Sequence, residues 1–138
     1  MEKTNFSDNF FSTIFAIASF HHLPNKKNRQ NAANEFFRIL EPKGKIIVSV
    51  WNLGQERFLE EQKAAKNRAK FLFNWKKDDL VVYWGKSKIP RFYHYFSENE
   101  LREIFQKSGF KKIEIFGLSK KSKITIEKSK NIFLLAEK

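Results

Sequence analysis

Cysteine is absent from the 138-residue chain, which excludes disulfides and thiolate metal sites. Glycine and proline are scarce, with five and three residues, and no two glycines lie within seven positions of each other. That spacing excludes a glycine-rich phosphate loop. No apolar run approaches the roughly 18 residues that cross a bilayer, and no signal-peptide pattern opens the chain. We therefore expect a cytoplasmic protein without a membrane partner.

Basic and aromatic side chains, by contrast, are abundant. The formal net charge is +12, and the chain contains sixteen Phe. A hydrophobic fraction of 41% predicts a globular domain, and 138 residues fit one domain. The positive charge favours contact with nucleic-acid phosphates. The alternative is codon usage alone, because 21 Lys stand against six Arg in a chain rich in Asn, Ile and Phe.

One continuous stretch, residues 11–51, has the pattern of a strand, a helix and a second strand. Residues 11–19 are apolar without alternation, which is typical of a strand covered on both faces. Apolar residues at helical spacing predict a helix over 27–40. Gly44 is expected to supply the turn into a second buried strand, 45–51. A right-handed parallel crossover follows from this order of elements.

Residues 52–96 are the least regular part of the sequence. Residues 55–70 are rich in helix formers and predict a charged, mostly solvated helix. Residues 71–96 carry several aromatic side chains without a strand or helix period, and we expect irregular structure there.

The C-terminal part of the chain predicts a helix and a pair of strands. Ser97 begins a capping box, and the helix that it opens ends at Gly109. Strands over 110–116 and 131–137 follow. The Lys- and Ser-rich residues 119–130 are expected to form an exposed, mobile connection.

Several short motifs give this arrangement a family likeness. They are ASFHHL at 18–23, EFFRILEPKG at 35–44, VW at 50–51, YHYF at 93–96 and NIFLLAEK at 131–138. In these motifs the chain resembles class I S-adenosylmethionine-dependent methyltransferases. Within them it is most similar to the branch that methylates modified wobble uridines in tRNA. The likeness extends from about residue 6 to the end of the chain.

The resemblance implies an α/β fold equivalent to the C-terminal half of a Rossmann-like methyltransferase sheet. The chain, 1–138, would be a single partial domain with a strand-helix-strand unit (1–51), a helical and aromatic insertion (52–96) and a C-terminal helix and strand pair (97–138). S-adenosylmethionine is the implied cofactor and tRNA the implied partner. The family's glycine-rich half has no counterpart in the sequence, so we expect the chain to be inactive alone.

Candidate site residues follow from the motifs and from the expected strand ends. The cofactor contacts would be Ser19, Phe20 and His21. The substrate contacts would be His22, Trp51, Arg91, Tyr93 and His94. Imidazoles can line a pocket, and a cation beside stackable rings suits an unstacked base and its phosphates. For each group the alternative is a structural role, as a cap, a solvated side chain or a packed aromatic ring.

No catalytic residue and no metal site is predicted. The acceptor implied by the resemblance is a carboxylate, which needs no general base. Two adjacent His on a turn point apart, and no third metal ligand is evident.

Three hypotheses explain a chain without the cofactor-binding half. A separately encoded polypeptide supplies that half, or the chain is a truncated gene product. Alternatively it is a non-catalytic basic module, which binds RNA and self-associates through the apolar edge strand 11–19. In the module hypothesis the predicted RNA contacts are Lys111, Lys112, Lys120 and Lys121.

Overall fold

A computed structural model describes residues 1–53, 79–84, 89–120 and 122–138. Its strands and helices, in chain order, are β1 (Phe11–Ile17), α1 (Lys26–Ile39), β2 (Leu40–Trp51), β3 (Asp79–Trp84), β4 (Ile89–His94), α2 (Glu98–Lys107), β5 (Lys111–Ser119), β6 (Ser122–Ile124) and β7 (Asn131–Glu137). Two short 3-10 turns, Phe20–His22 and Ile126–Lys128, connect them. Among these described elements, no helix is long and apolar enough to cross a membrane.

Five of the strands form one mixed sheet in the order β1-β2-β7-β5-β6. β1 and β2 are parallel and are joined by α1, whereas the other neighbours in the sheet are antiparallel. β3 and β4 form a separate antiparallel hairpin. The predicted strand-helix-strand unit and the C-terminal helix with its antiparallel strand pair are therefore confirmed.

Both helices cover the same face of the sheet. Asn25 caps α1, because its side chain accepts a hydrogen bond from the N–H of Asn28 at 2.9 Å. The predicted cap of α2 is confirmed, since the Ser97 hydroxyl accepts from the N–H of Glu100 at 3.1 Å. Alternate strand residues meet the two helices in one core, which includes Ala16, Ala33, Phe36, Ile46, Val48, Val50, Leu101, Phe105, Ile132 and Leu134.

The turn between α1 and β2 differs from the prediction. Lys43, and not Gly44, has the positive φ, at 67°. Gly44 instead allows a close backbone approach, since a Cβ there would lie 2.8 Å from the carbonyl oxygen of Glu41 and 3.1 Å from that of Ser12. β2 begins directly after α1, and an irregularity in its pairing with β1 accommodates the turn residues.

Two regions that were expected to be irregular contain defined structure. Within 71–96, β3 and β4 are paired from end to end. Within 119–130, β6 pairs with β5 and a 3-10 turn follows, so part of the segment is regular. Most of its described residues are exposed, as predicted, whereas Ser129 is buried. The helix predicted over 55–70 lies outside the described residues.

The N-terminal residues are attached to α1 by a carboxylate. Glu35 accepts hydrogen bonds from the N–H and the hydroxyl of Thr4, both at 2.7 Å, and pairs with Arg38 at 2.8 Å. Arg38 also donates to the carbonyl of Phe6 at 2.8 Å. The hydrogen bond from Arg38 is the largest influence on Glu35 and, with those from Thr4, it outweighs burial and lowers the pKa of Glu35 to about 2.

The sheet face opposite the two helices carries apolar side chains. Phe15 and Ile17 of the edge strand β1 are 65% and 53% exposed. The expectation that β1 is covered on both faces is therefore wrong for the described part of the chain. Half-buried apolar residues continue this face across the next strands: Ile47, Leu135, Phe133 and Phe116.

Candidate functional site

The carboxyl ends of β1 and β2 meet at one edge of the sheet, the usual ligand position in open α/β sheets. His21 and His22 follow β1 in the first 3-10 turn, and Trp51 is the last residue of β2. Tyr93 of β4 lies against all three rings. These four residues, the His-Trp-Tyr cluster, were each predicted from the sequence, and the structure brings them together.

Tyr93 is the centre of the cluster. Its ring stacks on His21 at a centroid distance of 5.0 Å and on Trp51 at 4.8 Å, each with an interplanar angle of 22°. His22 contacts it at 4.6 Å. Tyr93 is 1% exposed, so protein rings occupy the faces that were predicted to stack on an RNA base. The accessible rings of the cluster are the exposed His22 and the half-buried Trp51.

A strained backbone position directs the chain into this site. Ala18 has a φ of 49°, in the left-handed region that is costly for a residue with a Cβ. Its N–H lies 3.0 Å from both the carbonyl and the hydroxyl oxygen of Ser49, which fixes the end of β1 against β2. Phe20 then enters the core and stacks on Phe96 at 5.5 Å. The two His residues are thus held in place from both sides.

The predicted cofactor contacts separate into two kinds. Phe20 is fully buried in the core, so any contact that it makes with a ligand is limited to its backbone. Ser19 is half-buried, and its side chain makes no cap hydrogen bond to the turn that it precedes. His21 is also fully buried, but its Nε2 has no hydrogen-bond partner among the described residues. Ser19 and this nitrogen are therefore the polar groups that suit a ligand at the end of β1, and the Phe20 side chain is not.

His21 is neutral, and one of its two ring nitrogens forms a hydrogen bond within the protein. Its Nδ1 accepts a hydrogen bond from the N–H of Trp51 at 3.2 Å, so the ring proton lies on Nε2. Burial, followed by the charge of His22, lowers the pKa of His21 to about 3. Nε2 is buried and has no hydrogen-bond partner among the described residues. A buried donor without an acceptor costs about 1–3 kcal/mol, which a ligand oxygen would recover.

His22 has the complementary arrangement. Its Nδ1 lies 2.8 Å from the carbonyl oxygen of Phe92. A carbonyl only accepts, so Nδ1 carries a proton, and Nε2 is an acceptor whenever the ring holds that proton alone. Because His22 is exposed, that acceptor is available to a ligand.

His94 lies beside the cluster but serves as a connector. It is 3% exposed, and its Nδ1 lies 2.8 Å from Asp79 Oδ1 while its Nε2 lies 3.0 Å from Glu100 Oε2. Arg29 reaches the same Glu100 at 3.5 Å. Both nitrogens of His94 are engaged, so the predicted substrate contact has no free ring atom. The contact instead joins the β3-β4 hairpin to α2.

Glu100 remains ionised in this position. Burial, the largest influence, acts to raise its pKa, but the hydrogen bond and the charge of His94, with the charges of Arg29 and Lys26, produce a net lowering. Sequence reasoning missed Asp79, Glu100 and Arg29 as partners of His94. No local signal identifies them, because the fold brings together residues from β3, α2 and α1. Arg91, the remaining predicted contact, is exposed on β4.

Comparisons with known proteins agree with this geometry. A family model described as a methyltransferase domain matches residues 1–115. A protein of Encephalitozoon cuniculi named as a methyltransferase is 29% identical over 112 residues, which cover 79% of this chain and 49% of that protein. An Arabidopsis thaliana protein named tRNA (carboxymethyluridine(34)-5-O)-methyltransferase is 29% identical over 70 residues, 51% of this chain and 17% of the relative.

Among solved structures, a SAM-dependent methyltransferase from Methanosarcina mazei superposes with a TM-score of 0.71 at 18% identity. The match covers 99% of this chain and 63% of the other. At this identity the likeness concerns the fold, and it confirms the predicted α/β class with a partial Rossmann-like sheet. The chain spans about half the length of the Encephalitozoon relative.

Proposed function

The chain belongs to the methyltransferase domain family, and from this premise we propose that it acts in S-adenosylmethionine-dependent methylation of a carboxymethyl-modified wobble uridine in tRNA. The observation that carries the proposal is the His-Trp-Tyr cluster at the carboxyl ends of β1 and β2, with the unmatched Nε2–H of His21. The name of the Arabidopsis relative supports the choice of acceptor.

The residues of the cluster are suited to positioning. When bound, S-adenosylmethionine supplies an electrophilic methyl group. The buried Nε2–H of His21 can donate to a ligand oxygen, and Nε2 of His22 is an acceptor when the ring carries only its Nδ1 proton. Trp51, half-buried at the end of β2, provides an apolar wall. Holding reacting atoms in line is a large share of catalysis for a transfer that needs little covalent work by the protein.

The acceptor group itself explains why no general base is assigned. A carboxymethyl group is ionised at neutral pH, and its oxygen is a nucleophile without loss of a proton. Neutral His21 can bind such an oxygen through a hydrogen bond, and the exposed Arg91 supplies a positive charge on the neighbouring hairpin.

We further propose that the remainder of the cofactor site joins at the edge of β1 that faces away from β2, where the described residues form no further strand. This edge strand exposes Phe15 and Ile17, and unpaired apolar strand edges are prone to pair with another strand. The expected occupant is a strand that leads into a glycine-rich turn, supplied by another polypeptide segment. Pairing with β1 of a second copy is the competing outcome.

Calorimetry with S-adenosylhomocysteine tests the assembly. The chain alone should show no micromolar binding, whereas a complex with a polypeptide that carries the glycine-rich half should bind it. Micromolar binding by the isolated monomer would overturn the proposed assembly. A stable complex without affinity for S-adenosylhomocysteine would overturn the proposed cofactor.

A further inference from the structure

The segment Thr125 to Lys130, here named the lysine segment, is fixed to the end of β2. The side-chain amide of Asn52 donates to the carbonyls of Ile126 at 2.8 Å and Ser129 at 3.0 Å. The N–H of Asn52 donates to the carbonyl of Lys130 at 3.1 Å. Asn52 is 5% exposed, so these bonds are shielded from water. The lysine segment, which the sequence predicts to be a mobile connection, is therefore anchored by a buried amide.

A second buried residue holds the lysine segment against β5. Ser129 is 2% exposed, and its hydroxyl accepts from the N–H of Leu118 at 3.0 Å and donates to the carbonyl of Asn131 at 2.6 Å. The opposing position on β5 is Gly117, where a Cβ would lie only 2.8 Å from the carbonyl oxygen of Thr125. Contacts with the end of β2 and with β5 thus fix the backbone of the lysine segment, so no binding partner is needed to order it.

This anchoring places lysines beside the His-Trp-Tyr cluster. Trp51 pairs directly with Asn131, and Lys130 precedes that residue in the chain. Lys128 and Lys130 flank the buried Ser129, and both are exposed. Lys120 is exposed as well and lies just beyond β5, at the Trp51 end of the sheet, since Gly117 pairs with Ile132 and Ile132 with Val50.

Other charges on the segment and its neighbours are mostly balanced. Lys123 forms an ion pair with Glu114 on the adjacent strand, so it is less available to a partner. Glu127, which is exposed, contributes one negative charge. Lys120, Lys128 and Lys130 therefore leave an excess of positive charge at this end of the sheet.

The predicted group of RNA-binding lysines is divided by the fold. Lys111 pairs in register with Glu137, at the opposite end of the sheet from Trp51, and Lys112 follows it. β5 is nine residues long, so its two ends are separated by about 25–30 Å at roughly 3.3 Å per residue. Lys121 lies outside the described residues. Lys111 and Lys112 therefore cannot share one contact surface with Lys120.

We propose that Lys120, Lys128 and Lys130 form a phosphate-binding edge for single-stranded RNA next to Trp51. The inference rests on the proposed function, because it assigns the backbone contacts of the same tRNA substrate. A base that contacts the accessible His22 and Trp51 brings its flanking phosphates to the same end of the sheet, because only one sugar separates a base from its phosphate. Exposed lysines on a fixed backbone at that end match this charge pattern.

The test is the binding of the full chain to a 17-nucleotide anticodon stem-loop between 50 and 200 mM salt. Each lost phosphate contact should reduce the slope of log affinity against log salt by about 0.7–0.9. In the triple variant Lys120→Ala, Lys128→Ala, Lys130→Ala, the magnitude of this slope should be smaller by about 2. Its affinity at the lowest salt should be at least tenfold lower than that of the wild-type chain. The matched control is Lys45→Ala, Lys111→Ala, Lys112→Ala, which removes equal charge at the far end and should leave the slope unchanged.

The outcomes separate the two proposals. If the wild-type chain binds and both triple variants lose the same slope, the phosphate edge is wrong while the tRNA substrate stands. If the wild-type chain does not bind the stem-loop at the lowest salt, both the edge and the tRNA substrate are overturned. Competition by polyglutamate as effective as by the stem-loop would assign the edge to acidic partners in general and would overturn the RNA assignment.

Discussion

His21 and His22 are consecutive residues that use the same ring atom in opposite senses. Nδ1 of His21 accepts a hydrogen bond from the N–H of Trp51, whereas Nδ1 of His22 donates to the carbonyl of Phe92. When each ring carries one proton, Nε2 is therefore a donor in His21 and an acceptor in His22. One turn thus offers both polarities to a ligand at the carboxyl ends of β1 and β2.

The buried neutral state of His21 predicts a pH dependence of stability. The pKa of His21 is lowered to about 3 in the folded chain from its ordinary 6.5. Between these values the unfolded state binds more protons, so the free energy of unfolding should fall as the pH falls from 6.5 towards 3. Urea unfolding at pH 7, 6 and 5 measures this slope, and His21→Asn should flatten it.

Glu35 supplies the control for this experiment. Its pKa is lowered to about 2 from 4.5, so its contribution to stability is present above pH 4.5 and is lost as the pH falls towards 2. Glu35→Gln should therefore lower stability without changing the slope between pH 7 and 5. An unchanged slope in His21→Asn would contradict the neutral assignment.

The positive φ of Ala18 predicts that its substitution by glycine does not destabilise the fold. Its positive φ carries a strain of about 1–2 kcal/mol, which glycine removes, while glycine adds about 0.4–1 kcal/mol of unfolded-state entropy. Ala18→Gly should therefore be neutral or stabilising in thermal unfolding. Ala16→Gly, at a buried position with no strain to relieve, should cost about 1 kcal/mol. Equal losses in the two variants would contradict the strain at Ala18.

The contact of His94 with two carboxylates predicts a large loss on truncation. His94→Ala leaves the buried Asp79 and the partly buried Glu100 without their shared partner, and the expected cost is about 3 kcal/mol in urea unfolding. The control is Lys107→Ala, which removes an exposed ion pair with Glu103 and should cost less than about 1 kcal/mol. A loss in His94→Ala no larger than in the control would show that the contact contributes little.

When the proposed partner segment is absent, the apolar edge strand β1 predicts self-association of the isolated chain. Phe15 and Ile17 are exposed on β1, so Ile17→Lys should raise the monomer fraction in sedimentation velocity while changing the free energy of unfolding by less than about 0.5 kcal/mol. Thr13→Lys adds the same charge to the same strand without removing an exposed apolar side chain and serves as the control. An isolated wild-type chain that stays monomeric at high concentration would count against an associating edge.

Much of the fold could be predicted because its signals are local. Apolar spacing identified α1, Ser97 identified the start of α2, and the β7 boundaries matched those predicted. The β3-β4 hairpin was missed because its aromatic residues lack strand alternation and because the residues it packs against, Trp51 and Leu53, are distant in sequence. The family resemblance, which depended on short motifs, is confirmed by the match over residues 1–115.

The part of the candidate site that could be predicted is the part that follows from the order of the strands. His21, His22 and Trp51 could be placed together because the carboxyl ends of parallel strands meet. The burial of Tyr93 between protein rings could not be predicted, because it depends on where the hairpin docks. Asn52 likewise has no local signal, since its partners lie more than seventy positions away.

Nucleoside mass spectrometry of the wobble position tests the central claim most directly. The substrate is tRNA with carboxymethyluridine, incubated with S-adenosylmethionine and the chain in complex with a glycine-rich partner half. The account predicts a methyl ester on that nucleoside, with His21→Ala at least tenfold slower and Lys107→Ala unchanged. A complex that binds S-adenosylhomocysteine but forms no ester on this tRNA would contradict the proposed function.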